Sequence, residues 1–124
     1  MAVNEQTSDH HDQTPLTPAM FHVLLALADG EKHGYAILKE VLLRTDGKVR
    51  LSAGTLYGII KRLNEEGWIA ESDVRPAASL DDERRRYYRL TDLGRRVAAT
   101  EARRLEELVD MARNKNIFRD PELA

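Results

Sequence analysis

The stretch from Leu51 to Ile69, LSAGTLYGIIKRLNEEGWI, constrains the chain most, because it carries both a start and a stop for one amphipathic helix. Ser52 is a good N-cap, since its hydroxyl accepts from a free amide of the first turn. Gly67 follows the last charged pair and suits the left-handed backbone that ends a helix. Leu56, Ile59, Ile60 and Leu63 recur at helical spacing and predict one buried stripe. At about 3.6 residues per turn, Gly54, Tyr57, Gly58, Lys61, Arg62 and Glu65 fall on the other side. That face is unusual for a solvated one. Its two glycines each weaken a helix by roughly 1 kcal/mol relative to alanine, and a tyrosine stands beside two cations. Small residues admit a close neighbour, Lys61 and Arg62 suit phosphates, and Tyr57 suits a phosphate or a base edge. The pattern fits a helix laid in a major groove. On these residues alone it fits a plain surface helix about equally well.

The flanking sequence shifts that balance. Residues Met1 to Thr14 are polar, acidic and aperiodic, and read as a disordered arm. The pair His10 and His11 within it is too isolated to make a metal site. Thr17 is a plausible N-cap, with Pro18 at the first position of a helix reaching Ala28. Met20, Phe21, Val23, Leu24, Leu25 and Leu27 leave that helix almost no polar side, with His22 the exception. A helix apolar all round is covered all round, and a second subunit is the economical cover for what a small body cannot reach. Asp29 to Lys32 reads as a turn, and the next helix runs from about His33 to Thr45, with Tyr35, Leu38, Val41 and Leu42 as its expected buried stripe. His33, at its start, is placed to meet a phosphate there or to cap the helix. Val49 to Leu51 is a short extended piece.

After Gly67, Trp68 to Val74 reads as a strand, Pro76 to Glu83 as a polar loop, and Arg84 to Leu90, RRRYYRL, as a second strand. Together they predict a β-hairpin wing. Arg84, Arg85 and Arg86 stand where the loop re-enters the hairpin, which suits a phosphate clamp. The bland alternative is a charge cluster neutralised by Asp81, Asp82 and Glu83. Those three adjacent carboxylates rarely converge on a cation, so no metal or cofactor site is expected. Thr91 caps a last helix with Asp92 in its first turn. Leu93, Val97, Leu105, Leu108 and Ala112 carry it to about Arg113, leaving residues 114–124 as a frayed tail. At the usual rise that helix is about 34 Å long, too long for so small a body, and its stripe asks for a partner copy.

Charge and composition sharpen the reading. The chain of 124 residues carries a net charge of −2. Its middle nevertheless holds more Lys and Arg than Asp and Glu, and local field matters more than the total. No cysteine is present, which removes disulfides and thiol nucleophiles and fits a reducing cytoplasm. No apolar run approaches the roughly 20 residues of a membrane span. An enzyme ranks last, as no nucleophile elbow, phosphate loop or metal-ligand spacing occurs.

The expected architecture is mainly α with a small β-hairpin: a winged helix-turn-helix over residues 15–90 and a C-terminal dimerisation helix over 91–113. Three segments carry a family resemblance: LTPAMFHVLLALADGEKHGYAILKEV, LSAGTLYGIIKRLNEEGWI and RRRYYRLTDLGRR. In this order they resemble the PadR family of transcriptional regulators, specifically the short subfamily with a single C-terminal helix. The resemblance implies a homodimer that binds a pseudo-palindromic double-stranded operator, usually as a repressor, and that a small-molecule effector releases. Carried over by position, Ser52, Thr55, Tyr57, Lys61 and Arg62 would face DNA, with Arg84, Arg85 and Arg86 in the 75–86 wing on the backbone. Phe21, Leu25, Leu105, Leu108 and Met111 would form the dimer contacts. One departure concerns the effector. Drug-binding members of the subfamily carry a tryptophan on the last helix, whereas the only tryptophan here is Trp68 and the last helix has no aromatic before Phe118. The alternative function is a protein-interaction module that turns the same basic face to an acidic partner.

Overall fold

The computed structural model describes residues 16–72 and 86–119. Helix α1 spans Pro18–Ala26, α2 Gly34–Arg44, α3 Ala53–Glu65 and α4 Asp92–Asn114; strand β1 is Lys32–His33, β2 Ile69–Glu71 and β3 Tyr87–Leu90. The strands form one antiparallel sheet in the order β1-β3-β2. Three helices over a small sheet, with a long helix leaving it, make a winged helix-turn-helix with a C-terminal extension, as the sequence led us to expect.

Each helix begins on the side chain its sequence offers. The Thr17 hydroxyl accepts from Met20 N at 3.1 Å, with Pro18 opening the helix, where its missing N–H costs nothing. Ser52 Oγ accepts from Thr55 N at 3.1 Å, and Thr91 Oγ1 from Gly94 N at 2.9 Å. Helix α3 stops as expected: Gly67 has φ +81°, its amide donates to Asn64 O and the Trp68 amide to Leu63 O, both at 3.0 Å. That pair of bonds is the Schellman arrangement, which satisfies carbonyls the helix leaves open.

The core gathers Met20, Val23, Leu24, Ala26 and Leu27 from α1 with Ile37 and Val41 from α2. Leu56, Ile60 and Leu63 of α3, and Trp68, Ile69 and Tyr88 around the sheet, complete it. Three expectations need correction. First, Lys32 and His33 pair with Tyr88 and Tyr87, so the expected turn ends in a third strand and the wing is not a two-stranded hairpin alone. Second, Val49 to Leu51 joins no strand. Third, of the stripe expected on α2, Val41 is buried and Leu38 packs against the core, but Tyr35 is 62% exposed and Gly34 and Ile37 are buried in its stead. Apolar residues occupy positions 35–38 and 41–43, so spacing alone allowed two phases, and the closeness of Gly34 to α3 selects the one observed.

The start of α4 is pressed onto the turn between α3 and β2. A methyl on Gly94 would overlap the Trp68 carbonyl oxygen and lie 2.8 Å from its carbon. Only a residue without a side chain fits there, which accounts for the glycine three residues after Thr91. The Thr91 amide donates to Trp68 O at 3.1 Å, and its hydroxyl points to Gly67 O at 2.7 Å and Trp68 O at 3.0 Å. Arg95 reaches across to the Ala28 carbonyl at 3.1 Å. Beyond Glu101 every described residue of α4 except Ala112 is exposed.

Candidate nucleic-acid interface

Helix α3 buries Leu56, Ile60 and Leu63, and this fixes what lies opposite. Ser52, Thr55, Tyr57, Gly58, Lys61 and Arg62 are all exposed. Ser52 and Thr55 are joined at the start of the helix, where the two hydroxyls also lie 3.0 Å apart. Added Cβ atoms at Gly54 and Gly58 would meet nothing within 4 Å. The two glycines therefore leave α3 open to close approach from outside and serve no internal packing.

Tyr57 is half-exposed and leans toward α2. A methyl on Gly34 would collide with its hydroxyl and stand 2.8 Å from the ring carbon that bears it. The HGY and GTLY segments thus meet in space: the small residue of the first makes room for the aromatic of the second. Tyr88 lies below, and burial pushes its hydroxyl above the ordinary phenol range, with Glu71 and Tyr57 adding to the shift. It remains a neutral donor at any physiological pH.

Every described cation assigned to the face holds a glutamate. Lys61 Nζ is 3.1 Å from Glu65, Arg62 Nε 3.4 Å from Glu66, and Arg86 Nη1 3.2 Å from Glu71. Exposed pairs of this kind contribute about 0–1 kcal/mol, so a phosphate can replace the carboxylate at little cost. Arg84 and Arg85, together with most of the 75–86 wing, lie outside the described residues, as do His10, His11, Asp81, Asp82 and Glu83. His33 is the N-cap of α2: its Nδ1 accepts from Ala36 N at 3.2 Å, and its ring meets Tyr87 edge-on at 5.2 Å.

A cleft of about 560 Å³ opens beside α3. His33, Gly34 and Tyr35 wall one side, and Tyr57, Ile60, Lys61 and Asn64 the other. Glu71, Arg86 and Tyr88 close it from the sheet. Of these residues, the sequence alone points to His33, Tyr57, Lys61 and Arg86 as site residues. Tyr35 was assigned to the core, while Asn64 and Glu71 carried no signal until the sheet brought them round.

Of the residues expected at a dimer contact, Leu25 is 42% exposed, Leu105 36%, Leu108 47% and Met111 58%. Phe21 is half-buried. Phe118 lies under the Arg113 guanidinium, 5.3 Å from its ring centre. Among the described residues no helix is long and apolar enough to cross a membrane.

Comparison with known proteins identifies what carries this geometry elsewhere. The family model described as "Transcriptional regulator PadR-like family" matches residues 23–100. A PadR family transcriptional regulator from Eggerthella lenta superposes with a TM-score of 0.63 at 26% identity, covering 97% of this chain and 99% of that one. A transcriptional regulator from Clostridium thermocellum gives 0.64 at 23% identity, covering 93% and 96%. Bacillus subtilis PadR, solved with operator DNA, gives 0.59 at 23% identity, covering 71% of this chain and 48% of that one. An uncharacterized protein from Lysinibacillus sphaericus is 31% identical over 75 residues, or 59% of this chain and 64% of the relative. The match thus spans just under two thirds of that relative's length.

Proposed function

The chain belongs to the PadR-like family of transcriptional regulators, and from that premise we propose that it is a homodimeric repressor that binds a pseudo-palindromic operator. Helix α3 enters the major groove, with Ser52, Thr55, Tyr57, Lys61 and Arg62 toward the DNA. The 75–86 wing, with Arg84, Arg85 and Arg86, lies on the sugar-phosphate backbone. The observation that carries this reading is the exposed face of α3. It is held from behind by three fully or nearly buried residues, is open at Gly54 and Gly58, and is cationic at Lys61 and Arg62. A protein of the same fold, Bacillus subtilis PadR, has been solved bound to operator DNA, which supports the assignment.

The dimer completes the reading. Leu25, Leu105, Leu108 and Met111 leave apolar surface on α1 and on the part of α4 that extends past the body, and such a patch on a small chain marks an interface. A second copy offers the same unsatisfied stripe and brings two α3 helices into play, matching a two-fold operator. The family resemblance adds release by a small-molecule effector.

The test is a fluorescence-anisotropy titration against the gene's own upstream duplex and a scrambled duplex of the same length. Six or more phosphate contacts predict an affinity loss of roughly a thousand-fold between about 50 and 200 mM salt. Tight, salt-sensitive binding that prefers the upstream duplex is expected. Equal weak binding to both refutes the reading and directs attention to an acidic protein partner.

A further inference from the structure

The cleft beside α3 holds two features that the fold does not use. Tyr35 is the second residue of α2 and exposes most of a large aromatic side chain, its ring stacked 6.4 Å from that of His33. Arg86 is turned back on Glu71, which touches one guanidinium nitrogen with both carboxylate oxygens at 3.2 and 3.4 Å. The lining is about evenly polar and apolar, with the charged side chains of Lys61, Glu71 and Arg86 in it and Ile60 as its one aliphatic side chain, whereas sites for drug-sized molecules are mostly apolar. Tyr57 and Lys61 belong both to this cleft and to the exposed face of α3. Whatever lies along α3 therefore passes over the cleft.

We infer that the cleft seats one backbone phosphate of the operator, with Arg86 and Tyr35 as its ligands and Glu71 as the resident carboxylate that the phosphate displaces. The inference rests on the DNA-binding reading above. Arg86 gives Glu71 one guanidinium nitrogen only; a phosphate oxygen can accept from that same charged donor, and the planar guanidinium can also span two phosphate oxygens, so the exchange keeps the donor satisfied. The Tyr35 hydroxyl adds a neutral donor, and Lys61 at the rim adds charge. Glu71 thus weakens non-productive binding of anions and is overcome only when α3 docks as well. It sets affinity without touching a base.

Full-length protein titrated against its upstream duplex tests this, with Lys61→Ala as the reference for groove contact. Tyr35→Phe removes one hydroxyl from an exposed position and should weaken binding about 3- to 10-fold without altering the salt slope, since no charge is lost. Arg86→Gln should weaken binding and lower the slope by about 1. Glu71→Gln should tighten binding about 3-fold or more at low salt. Single methylphosphonate substitutions along the duplex should reveal one phosphate per half-site whose neutralisation weakens the wild type but no longer weakens Tyr35→Phe with Arg86→Gln. The inference is overturned if Tyr35→Phe and Glu71→Gln bind as wild type while Lys61→Ala loses binding. It is equally overturned if the sensitive phosphate stays sensitive in the double variant. A wild type that does not distinguish the upstream from the scrambled duplex removes the DNA reading itself, and this inference with it.

Discussion

Gly94→Ala and Gly58→Ala are the same chemical change in two helices, and the structure assigns them opposite signs. At Gly58 an added methyl meets nothing within 4 Å, so the change brings only the helix-propensity gain of up to about 1 kcal/mol. At Gly94 the methyl overlaps the Trp68 carbonyl oxygen and stands 2.8 Å from its carbon, where ordinary contact begins at 3.4 Å. The carbon alone is short by 3.4 − 2.8 = 0.6 Å, and the oxygen by more. The carbonyl cannot retreat freely, because the Thr91 amide and hydroxyl both bond to it. Forcing α4 outward weakens those bonds, at about 1 kcal/mol each, and overpacking adds about 1–3 kcal/mol. Against these stands a gain of at most about 1 kcal/mol, so the net loss is about 2–4 kcal/mol. For a domain of this size that lowers Tm by roughly 10 °C or more. Trp68 is the chain's only tryptophan and lies at the contact, so its fluorescence on heating reports the junction directly. A Gly94→Ala variant that melts at or above the wild-type temperature refutes the close approach between α4 and the turn that follows α3.

Other expectations follow from single contacts. Gly58→Ala, though stabilising, should weaken operator binding, because it fills the open face of α3; unchanged anisotropy would place that face away from DNA. His33→Ala should cost about 1 kcal/mol through loss of the α2 cap, and His33→Asn should restore most of it in urea unfolding, since asparagine offers an equivalent acceptor. Leu108→Glu should convert a dimer to monomers in sedimentation velocity at micromolar concentration, because burial of each leucine is worth about 1.5–3 kcal/mol and the symmetric contact loses two. The hydrogen bond from Arg104 holds the Glu101 carboxyl below its ordinary value of 4.5. Its folded pKa is depressed, so its stabilisation is present above that value and is lost as pH falls through the folded one. The Tm deficit of Glu101→Gln should therefore be clear at neutral pH and shrink in acid; a deficit independent of pH would contradict the ion pair.

Much of this was legible in the sequence, for local reasons. Caps at Thr17, Ser52 and Thr91 and the stop at Gly67 depend on residues a few positions apart, and spacing along the chain is all that a sequence displays. The buried stripe of α3 was equally clear, because its other side is polar. What was missed depends on distant partners. Strand β1 has two residues and exists only because β3, more than fifty positions later, pairs with it. Tyr35 was assigned to the core because α2 is apolar over most of its circumference, and Gly34, packed under Tyr57, decides the phase. Glu71 has no signature of its own and becomes part of a site only through Arg86, just before the neighbouring strand.

The junction of Gly67, Trp68, Thr91 and Gly94 has a mechanical consequence. It leaves no slack between α3, the helix proposed to meet DNA, and α4, the rod proposed to meet a partner subunit. Past Glu101 the rod stands clear of the body for about 20 Å and acts as a lever: a tilt of about 5° where it leaves the body moves its far end by about 2 Å. In a dimer joined along α4, the same lever works in reverse. Small slippage between the two rods swings both α3 helices, whose separation must match one turn of the duplex, about 34 Å. The glycine that lets two backbones touch is thus the fulcrum of a caliper, and its stiffness sets how finely the molecule can measure the spacing of an operator.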